Sequence, residues 1–256
     1  MGEIFLNQIP DSFISQIADR LHIHSTILLK LYFDERGNKQ AMHIGSGTFV
    51  IIKGIHGILT AQHVTRTLSG DYSLGLTVTR EDEEQEFKVD KSSIKIIDVG
   101  TSVTEEYGPD LSFIILADWD KIGTIKVSKS FHDLSRDQEE LLTNPPATDF
   151  GIWFVCGAPG ERTRIEQSRS SFGEIFAFQD YCAAGGVQRE YERGNYDYFE
   201  MDIDVVSEAD IPHNFAGMSG GGLWQVTVAR AEDQTLIPKR YLFSGVVFYQ
   251  GVGLSR

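Results

Sequence analysis

From His24 onward the sequence consists of short apolar runs separated by turn residues, which is typical of an all-β protein. Seven predicted strands form a first unit, and six form a second. The first set covers residues 25–34, 41–53, 57–61, 74–79, 86–89, 93–99 and 111–117, and the second covers 151–156, 162–167, 173–178, 196–202, 222–228 and 240–249. Residues 121–150 are weakly patterned and contain Asn144-Pro145-Pro146, which indicates a connector. We therefore expect β units at 23–120 and 151–256.

An N-terminal extension, residues 1–22, precedes these strands and contains one helical pattern. Apolar residues recur at helical spacing after Pro10, beginning with Phe13, and Asp11 or Ser12 is placed to cap the helix. We expect a short helix packed on the domain. A helix that docks a partner is the alternative.

A glycine-rich segment near the C-terminal end, Gly217-Met218-Ser219-Gly220-Gly221, surrounds a serine. Glycine allows backbone angles that a Cβ forbids, and such a turn can expose the hydroxyl and aim backbone N–H groups at one point. N–H groups of this kind stabilise the oxyanion of an acyl-transfer intermediate. We assign that role to Gly217 and Ser219, while a glycine-rich turn with an incidental serine is the alternative for this segment taken alone.

Two further segments supply what a nucleophilic serine lacks. His63 closes the run Thr60-Ala61-Gln62-His63 at the end of an apolar strand, and Asp110 precedes the apolar strand 111–117. A serine hydroxyl needs an imidazole to take its proton, and the imidazole needs a carboxylate to hold its tautomer. These residues predict a catalytic triad of His63, Asp110 and Ser219.

TAQH, the aspartate in PDLSFIIL, and GMSGGGLW together resemble the three signatures of the trypsin-like (chymotrypsin-fold) serine proteases, in the same order along the chain. The segment GSGTFV upstream of His63 and the strand 241–248 also resemble this family. The resemblance implies two six-stranded antiparallel β-barrels. His63 and Asp110 would come from the first barrel and Ser219 from the second, with the active site in the cleft between them.

The chain also departs from the secreted members of that family. Met218 stands where those enzymes have an aspartate that pairs with a new N-terminal amine, and no activation site is evident near the N-terminus. In this respect the chain is more similar to the HtrA-like and viral members. The resemblance also implies a specificity pocket, although a plain loop position is the simpler interpretation of His213. The pocket residues it implies are His213, Asn214, Val247 and Gln250.

Composition limits the partners and the compartment. The formal net charge of −14 argues against non-specific binding to nucleic acid or anionic membranes, and no apolar stretch is long enough to cross a bilayer. The first six residues lack a secretory signal, and the two cysteines, Cys156 and Cys182, lie among apolar neighbours. We expect buried, reduced thiols and a cytoplasmic protein, with one disulfide as the alternative. No spacing indicates a metal site or a cofactor.

The leading hypothesis is an intracellular serine endopeptidase that acts on a protein or peptide substrate without a cofactor. A protease-fold binding or scaffold domain that has lost turnover is the alternative from another class. A third hypothesis keeps the enzyme but makes it a latent effector, switched on by a regulatory partner or by a missing domain.

Overall fold

A computed structural model describes residues 9–80, 83–99, 109–136, 138–162, 164–166, 175–177, 181–193, 196–203, 212 and 214–248. The chain is mostly β, with 51% of residues in strands and 19% in helices. This composition confirms the predicted all-β class, and the helices are short additions to two sheets.

The first sheet is curled into a half-barrel. Its strands are β1 (Ser25–Phe33), β2 (Lys39–Ile52), β3 (Ile55–Thr60), β4 (Ser73–Arg80), β5 (Glu83–Asp90), β6 (Ile94–Asp98), β7 (Ser112–Leu116) and the short β8 (His132–Asp133). The order is β5-β4-β1-β2-β3-β7-β6, and β8 pairs in parallel with β2. Inside the curl lies a core of fully buried side chains that includes Phe49, Ile58 and Ile114.

The second sheet has five strands in the order β13-β12-β9-β14-β15. They are β9 (Ile152–Gly157), β12 (Tyr181–Arg193), β13 (Tyr196–Ile203), β14 (Gly222–Arg230) and β15 (Leu236–Val246), and β10 (Arg164–Glu166) pairs separately with β11 (Ile175–Ala177). β12 is absent from the sequence prediction because its second half, from Gln188, is mostly charged and exposed and so lacks a clear apolar alternation.

The expectation of two six-stranded barrels is not confirmed. Closing a barrel requires hydrogen bonds between the two edge strands of a sheet. In the part of the chain that the structure describes, β5 and β6 are the edges of the first sheet and do not pair, and the second sheet has five strands. The coarser architecture, two antiparallel sheets of short strands, is present.

In the described residues, four α-helices accompany the sheets: α1 (Asp11–His22), α2 (Gln62–Arg66), α3 (Trp119–Ile125) and α4 (Gln138–Thr143). The predicted N-terminal helix is α1, and its apolar side buries Phe13, Ile17 and Leu21 in the core of the second sheet. The predicted side-chain cap is wrong, because the helix begins after Pro10 with no side-chain cap bond. Asp11 instead lies in the first turn, where its charge favours the helix dipole.

The connector predicted at 121–150 is fixed to the second sheet by hydrogen bonds. The buried Gln225 on β14 donates through Nε2 to the carbonyls of Ala147 (2.8 Å) and Phe150 (2.6 Å). Trp153 on β9 donates through Nε1 to the carbonyl of Thr148 (2.8 Å). These bonds fix the last residues of the connector against the second sheet. Its first half instead packs in the core of the first sheet, through Ile122, Ile125 and Phe131.

A histidine pair lies where the two sheets meet. His24 bonds through Nδ1 to the carbonyl of Ser130 (2.7 Å), and its ring lies 5.5 Å from the ring centroids of both Trp224 on β14 and His132 on β8. Burial, together with smaller contributions from the charges of His132, Arg20 and Lys129, lowers the pKa of His24 to about 4, although the bond to the Ser130 carbonyl acts to raise it. Burial also lowers the pKa of His132.

This pair predicts acid sensitivity of the fold. An unfolded histidine titrates near 6.5, so between pH 6.5 and 4 the unfolded chain binds a proton at His24 that the folded chain does not. Stability is therefore complete above about pH 6.5 and falls as the pH drops, by at most about 3 kcal/mol from this residue. Urea unfolding of the parent and of His24→Gln at pH 8 and pH 4.5 should show a shallower pH dependence in the variant. Equal dependence in both would contradict this prediction.

Candidate active site

Strand pairing places His63 and Asp110 at the same end of two neighbouring strands of the first sheet. β3 and β7 are antiparallel, and Thr60, the last residue of β3, pairs with Ser112, the first residue of β7. The end of one strand therefore lies beside the start of the other. His63 follows in the one-turn helix α2, and Asp110 lies just before β7. The prediction that both residues lie at strand ends thus corresponds to a direct contact.

Asp110 holds His63 by two hydrogen bonds. Its Oδ2 lies 2.5 Å from Nδ1 of the ring, and its Oδ1 accepts the backbone N–H of His63 at 2.8 Å. A proton on Nδ1 donates to the carboxylate, which leaves Nε2 as the acceptor. The side chain of His63 is 46% exposed, whereas that of Asp110 is 25% exposed. The ring is therefore oriented by a more buried carboxylate and remains accessible to a reactant.

The electrostatic state of Asp110 suits this orienting role. Burial acts to raise its pKa, but the hydrogen bonds from the ring and backbone of His63, the charge of His63 and a bond from the Gln62 backbone together hold the pKa of Asp110 below its usual range. Asp110 is therefore a carboxylate at neutral pH. A carboxylate in this position stabilises an imidazolium that forms during proton transfer.

The peptide planes around Ser219 are fixed one by one. The carbonyl of Ala216 accepts the N–H of Gly160 (2.6 Å), and the carbonyl of Met218 accepts the N–H of Gly221 (2.8 Å). No peptide bond in the described residues is cis, so each N–H points opposite to the carbonyl of the same peptide. The N–H groups of Gly217 and Ser219 therefore point away from Gly160 and Gly221.

These two N–H groups are the ones that the loop leaves available. Met218 donates its N–H to the carbonyl of Phe215 (2.9 Å), and Gly220 donates to that of Val247 (2.7 Å). Within the described ranges, the N–H groups of Gly217 and Ser219 have no acceptor. They are the pair that the sequence assigns to the oxyanion, and the geometry leaves both able to bind one.

Glycine is required at two positions of this loop. Gly217 has φ +96° and Gly220 has φ +90°, which residues with a Cβ rarely adopt. A Cβ on Gly217 would lie 2.6 Å from Cε1 of His43, and a Cβ on Gly220 would overlap the carbonyl oxygen of Ser46. The loop therefore packs its backbone directly against β2.

The backbone of Ser219 lies beside the segment that carries His63. Ser46 donates its N–H to the carbonyl of Ser219 (2.8 Å). A Cβ built on Gly45 would lie 2.7 Å both from that carbonyl oxygen and from Cγ2 of Val64, the neighbour of His63. No hydrogen bond joins the Ser219 hydroxyl to the His63 ring in the described residues. The lack of this bond does not exclude a triad, because catalytic hydrogen bonds are often long before a substrate is bound.

Comparison with models of known protein families found no match, and a search of the curated proteins found no similar protein either. The function proposed below therefore rests on the sequence motifs and on the geometry of the site. In the described part of the chain, no cluster of three or more His, Cys, Asp or Glu side chains could hold a metal ion. No described helix has the length and apolar character needed to cross a membrane.

Met218 anchors the loop in the core of the second sheet. Its side chain is 1% exposed and belongs to an apolar cluster with Trp153, Val155 and Leu223. The residue before Ser219 is thus held by apolar packing and carries no charge that could pair with an amine.

The four residues suggested for a specificity pocket are only partly covered. His213 and Gln250 lie outside the described residues. Asn214 is exposed, and its Oδ1 accepts the N–H of Ala216 (2.8 Å), so that oxygen is engaged in the turn before Ser219. Val247 packs on the apolar cluster of Met218, and its backbone bonds to Gly220 and Gly221.

Two polar residues of β2 contact the loop and were not singled out from the sequence. His43 bonds through Nε2 to the carbonyl of Gly45 (3.1 Å), and burial lowers its pKa. Ser46 was noted only as part of the segment GSGTFV. The available signal for Ser46 was a serine between two glycines at the buried end of the strand.

The two cysteines lie side by side on neighbouring strands of the second sheet. Cys156 on β9 pairs with Cys182 on β12, and their Sγ atoms are 2.7 Å apart. Neither forms a disulfide. The unbridged thiols agree with the expectation from the sequence, whereas the expected burial holds for Cys156 only, because Cys182 is half-buried.

Proposed function

We propose that this chain is a serine endopeptidase of the trypsin-like type, which hydrolyses peptide bonds through Ser219, His63 and Asp110. The observation that carries the proposal is the double hydrogen bond from His63 to Asp110. A carboxylate that binds both the ring and the backbone of one histidine fixes the position and the tautomer of that ring. A histidine held only for structural reasons does not need an accessible ring beside a glycine-rich serine loop.

In the proposed reaction, His63 Nε2 takes the proton of the Ser219 hydroxyl as its oxygen attacks the substrate carbonyl. Asp110 stabilises the imidazolium that results. The carbonyl oxygen becomes an oxyanion and accepts hydrogen bonds from the N–H groups of Gly217 and Ser219. His63 then protonates the leaving amine, and water releases the acyl group from Ser219 by the same steps in reverse.

The two-sheet architecture supports a trypsin-like arrangement, which is part of the proposal. The base and its carboxylate lie at the adjoining ends of β3 and β7 in the first sheet, and the nucleophile comes from a loop that leads into the second sheet. The order of the three motifs and the sequence around each of them point to the same family. A cytoplasmic location is proposed from the unbridged cysteines.

The test is covalent labelling of the parent chain with a fluorophosphonate probe, followed by intact mass and peptide mapping. One adduct on Ser219 is expected, together with cleavage of unfolded casein. An adduct without casein cleavage would favour the latent effector that requires a partner. No adduct on any serine would reject the triad and would favour a scaffold domain.

The labelling rate should depend on pH through a single ionisation between pH 5 and 9. His63 must be neutral to accept a proton, so the rate should fall at acidic pH, where the ring gains a proton. The depressed pKa of Asp110 keeps this carboxylate charged there, so it adds no second step. Rates measured from pH 4 to 9 check this, and a flat profile down to pH 4 would exclude a histidine base.

A further inference from the structure

Ser46 on β2 uses every polar atom it has on the residues around the proposed site. Its N–H donates to the carbonyl of Ser219 (2.8 Å), and its carbonyl accepts the hydroxyl of Thr60 (2.7 Å). Its Oγ donates to the carbonyl of Gly217 (2.7 Å) and accepts the N–H of Ala158 (2.9 Å). The backbone and side chain of this one residue thus form four hydrogen bonds to three separate segments.

These bonds join the base and the nucleophile. Thr60 is the last residue of β3, and the chain continues from it through two residues to His63. Gly217 and Ser219 belong to the loop that precedes β14. Ser46 therefore links the strand that carries the base to the loop that carries the nucleophile, and it belongs to the first sheet while the loop belongs to the second.

The environment of Ser46 leaves no substitute for its hydroxyl. The residue is 0% exposed. A Cβ on Gly157 would lie 3.0 Å from Ser46 Oγ, so the backbone of β9 already approaches it closely. Removing the hydroxyl would leave the carbonyl of Gly217 and the N–H of Ala158 without their partner at a buried point, and unsatisfied buried groups are costly.

The carbonyls that Ser46 binds control the loop's conformation. The bond to the carbonyl of Gly217 fixes the peptide between Gly217 and Met218. The bond to the carbonyl of Ser219 fixes the peptide between Ser219 and Gly220. Gly221 holds the peptide between Met218 and Ser219, and Gly160 holds the peptide before Gly217. Without the Ser46 hydroxyl, the plane between Gly217 and Met218 loses a bond, whereas the bond from the backbone N–H of residue 46 to the Ser219 carbonyl remains. That plane lies between the two planes that carry the available N–H groups, so the loss of its bond loosens the frame that orients them.

We propose that Ser46 is a positioning residue that holds the Ser219 loop in its reactive conformation and sets its distance from His63. The inference rests on the proposed function, because the reaction gives that conformation its purpose. Ser46 contacts no reacting atom in this account. It acts on the orientation of the N–H donors and of the nucleophile, and it takes no part in the binding of a probe.

The test measures labelling by a fluorophosphonate probe at increasing concentration, which separates the maximal rate constant kinact from the binding constant KI. For Ser46→Ala we expect kinact to fall at least about tenfold, a smaller effect than loss of an oxyanion donor, with KI unchanged. The control is Thr26→Val, which also removes a fully buried hydroxyl of the first sheet, but one that bonds to the carbonyl of Thr77 on β4. The control should label within about twofold of the parent rate, because it changes no bond of the loop.

Hydrogen exchange of the loop gives a second readout that does not need activity. The amides of Gly220 and Gly221 should exchange at least about tenfold faster in Ser46→Ala than in the parent or the control. Unchanged exchange, or an equal loss of kinact in both variants, would overturn the positioning role. If the parent does not label at all, the proposed function fails, and the exchange result alone decides whether Ser46 holds the loop.

Ser46→Cys serves if Ser46→Ala does not fold. The thiol occupies the site but is a weak donor and a weak acceptor. A folded Ser46→Cys protein should show reduced kinact and faster exchange in the loop. Parent values for both quantities in that variant would overturn the proposal.

Discussion

Ser219→Ala is expected to abolish fluorophosphonate labelling and to lower the hydrolysis of a p-nitrophenyl ester by about 10⁶-fold, the loss typical of removing a catalytic serine. The hydroxyl is the only nucleophile that the proposed mechanism uses, and the neighbouring glycines offer no replacement. The Ser219 hydroxyl makes no hydrogen bond among the described residues, so the free energy of unfolding should change by less than about 0.5 kcal/mol. Intact mass and urea unfolding measure the two quantities on the same preparation.

Ser244→Ala is the matched control for this substitution. Ser244 lies on β15 and its hydroxyl has a long contact of 3.4 Å with the carbonyl of Leu242, away from the loop. This variant should label at the parent rate. Persistent labelling of Ser219→Ala would show that the probe reacts elsewhere, and the assignment of the nucleophile would then be wrong.

Sequence reasoning reached His63 and Asp110 because both residues are local features of strand ends. An apolar run that stops at a histidine, and an aspartate just before another apolar run, can each be read without knowing the fold. What the sequence could not supply is that β3 and β7 are neighbours in register, which turns two separate strand ends into one contact. That pairing depends on long-range packing of the half-barrel.

Ser46 shows the opposite case. Its importance comes entirely from contacts with residues distant in the chain, such as Gly217 and Ala158, and a serine between glycines is common in strands and turns. β12 was missed for a related reason, because a strand stabilised by its neighbours needs no apolar alternation of its own along its exposed half. Closed barrels were expected from resemblance, and local sequence does not determine whether edge strands pair.

Asp110→Asn tests whether the carboxylate does more than fill space. In the parent, Oδ1 accepts the backbone N–H of His63 and Oδ2 faces Nδ1 of its ring. An asparagine can keep the first bond with its oxygen, but its amide nitrogen then faces Nδ1 and donates to it. The ring proton moves to Nε2, which can no longer accept the proton of Ser219. The expected loss is about 10⁴-fold in labelling rate at pH 7.5, as for this change in triads generally.

The matched control is Asp98→Asn on the adjacent strand β6. Asp98 accepts the hydroxyl of Ser112 at 2.5 Å, so it also bonds next to the start of β7, but it does not contact His63. This variant should label within about threefold of the parent, because the tautomer of the ring is unaffected. If Asp110→Asn labels within tenfold of the parent, the tautomer argument fails, because the ring must then be held by other groups. A large loss of labelling rate in Asp110→Asn, with a parent-like rate in Asp98→Asn, distinguishes a misoriented base from general damage to the sheet near the start of β7.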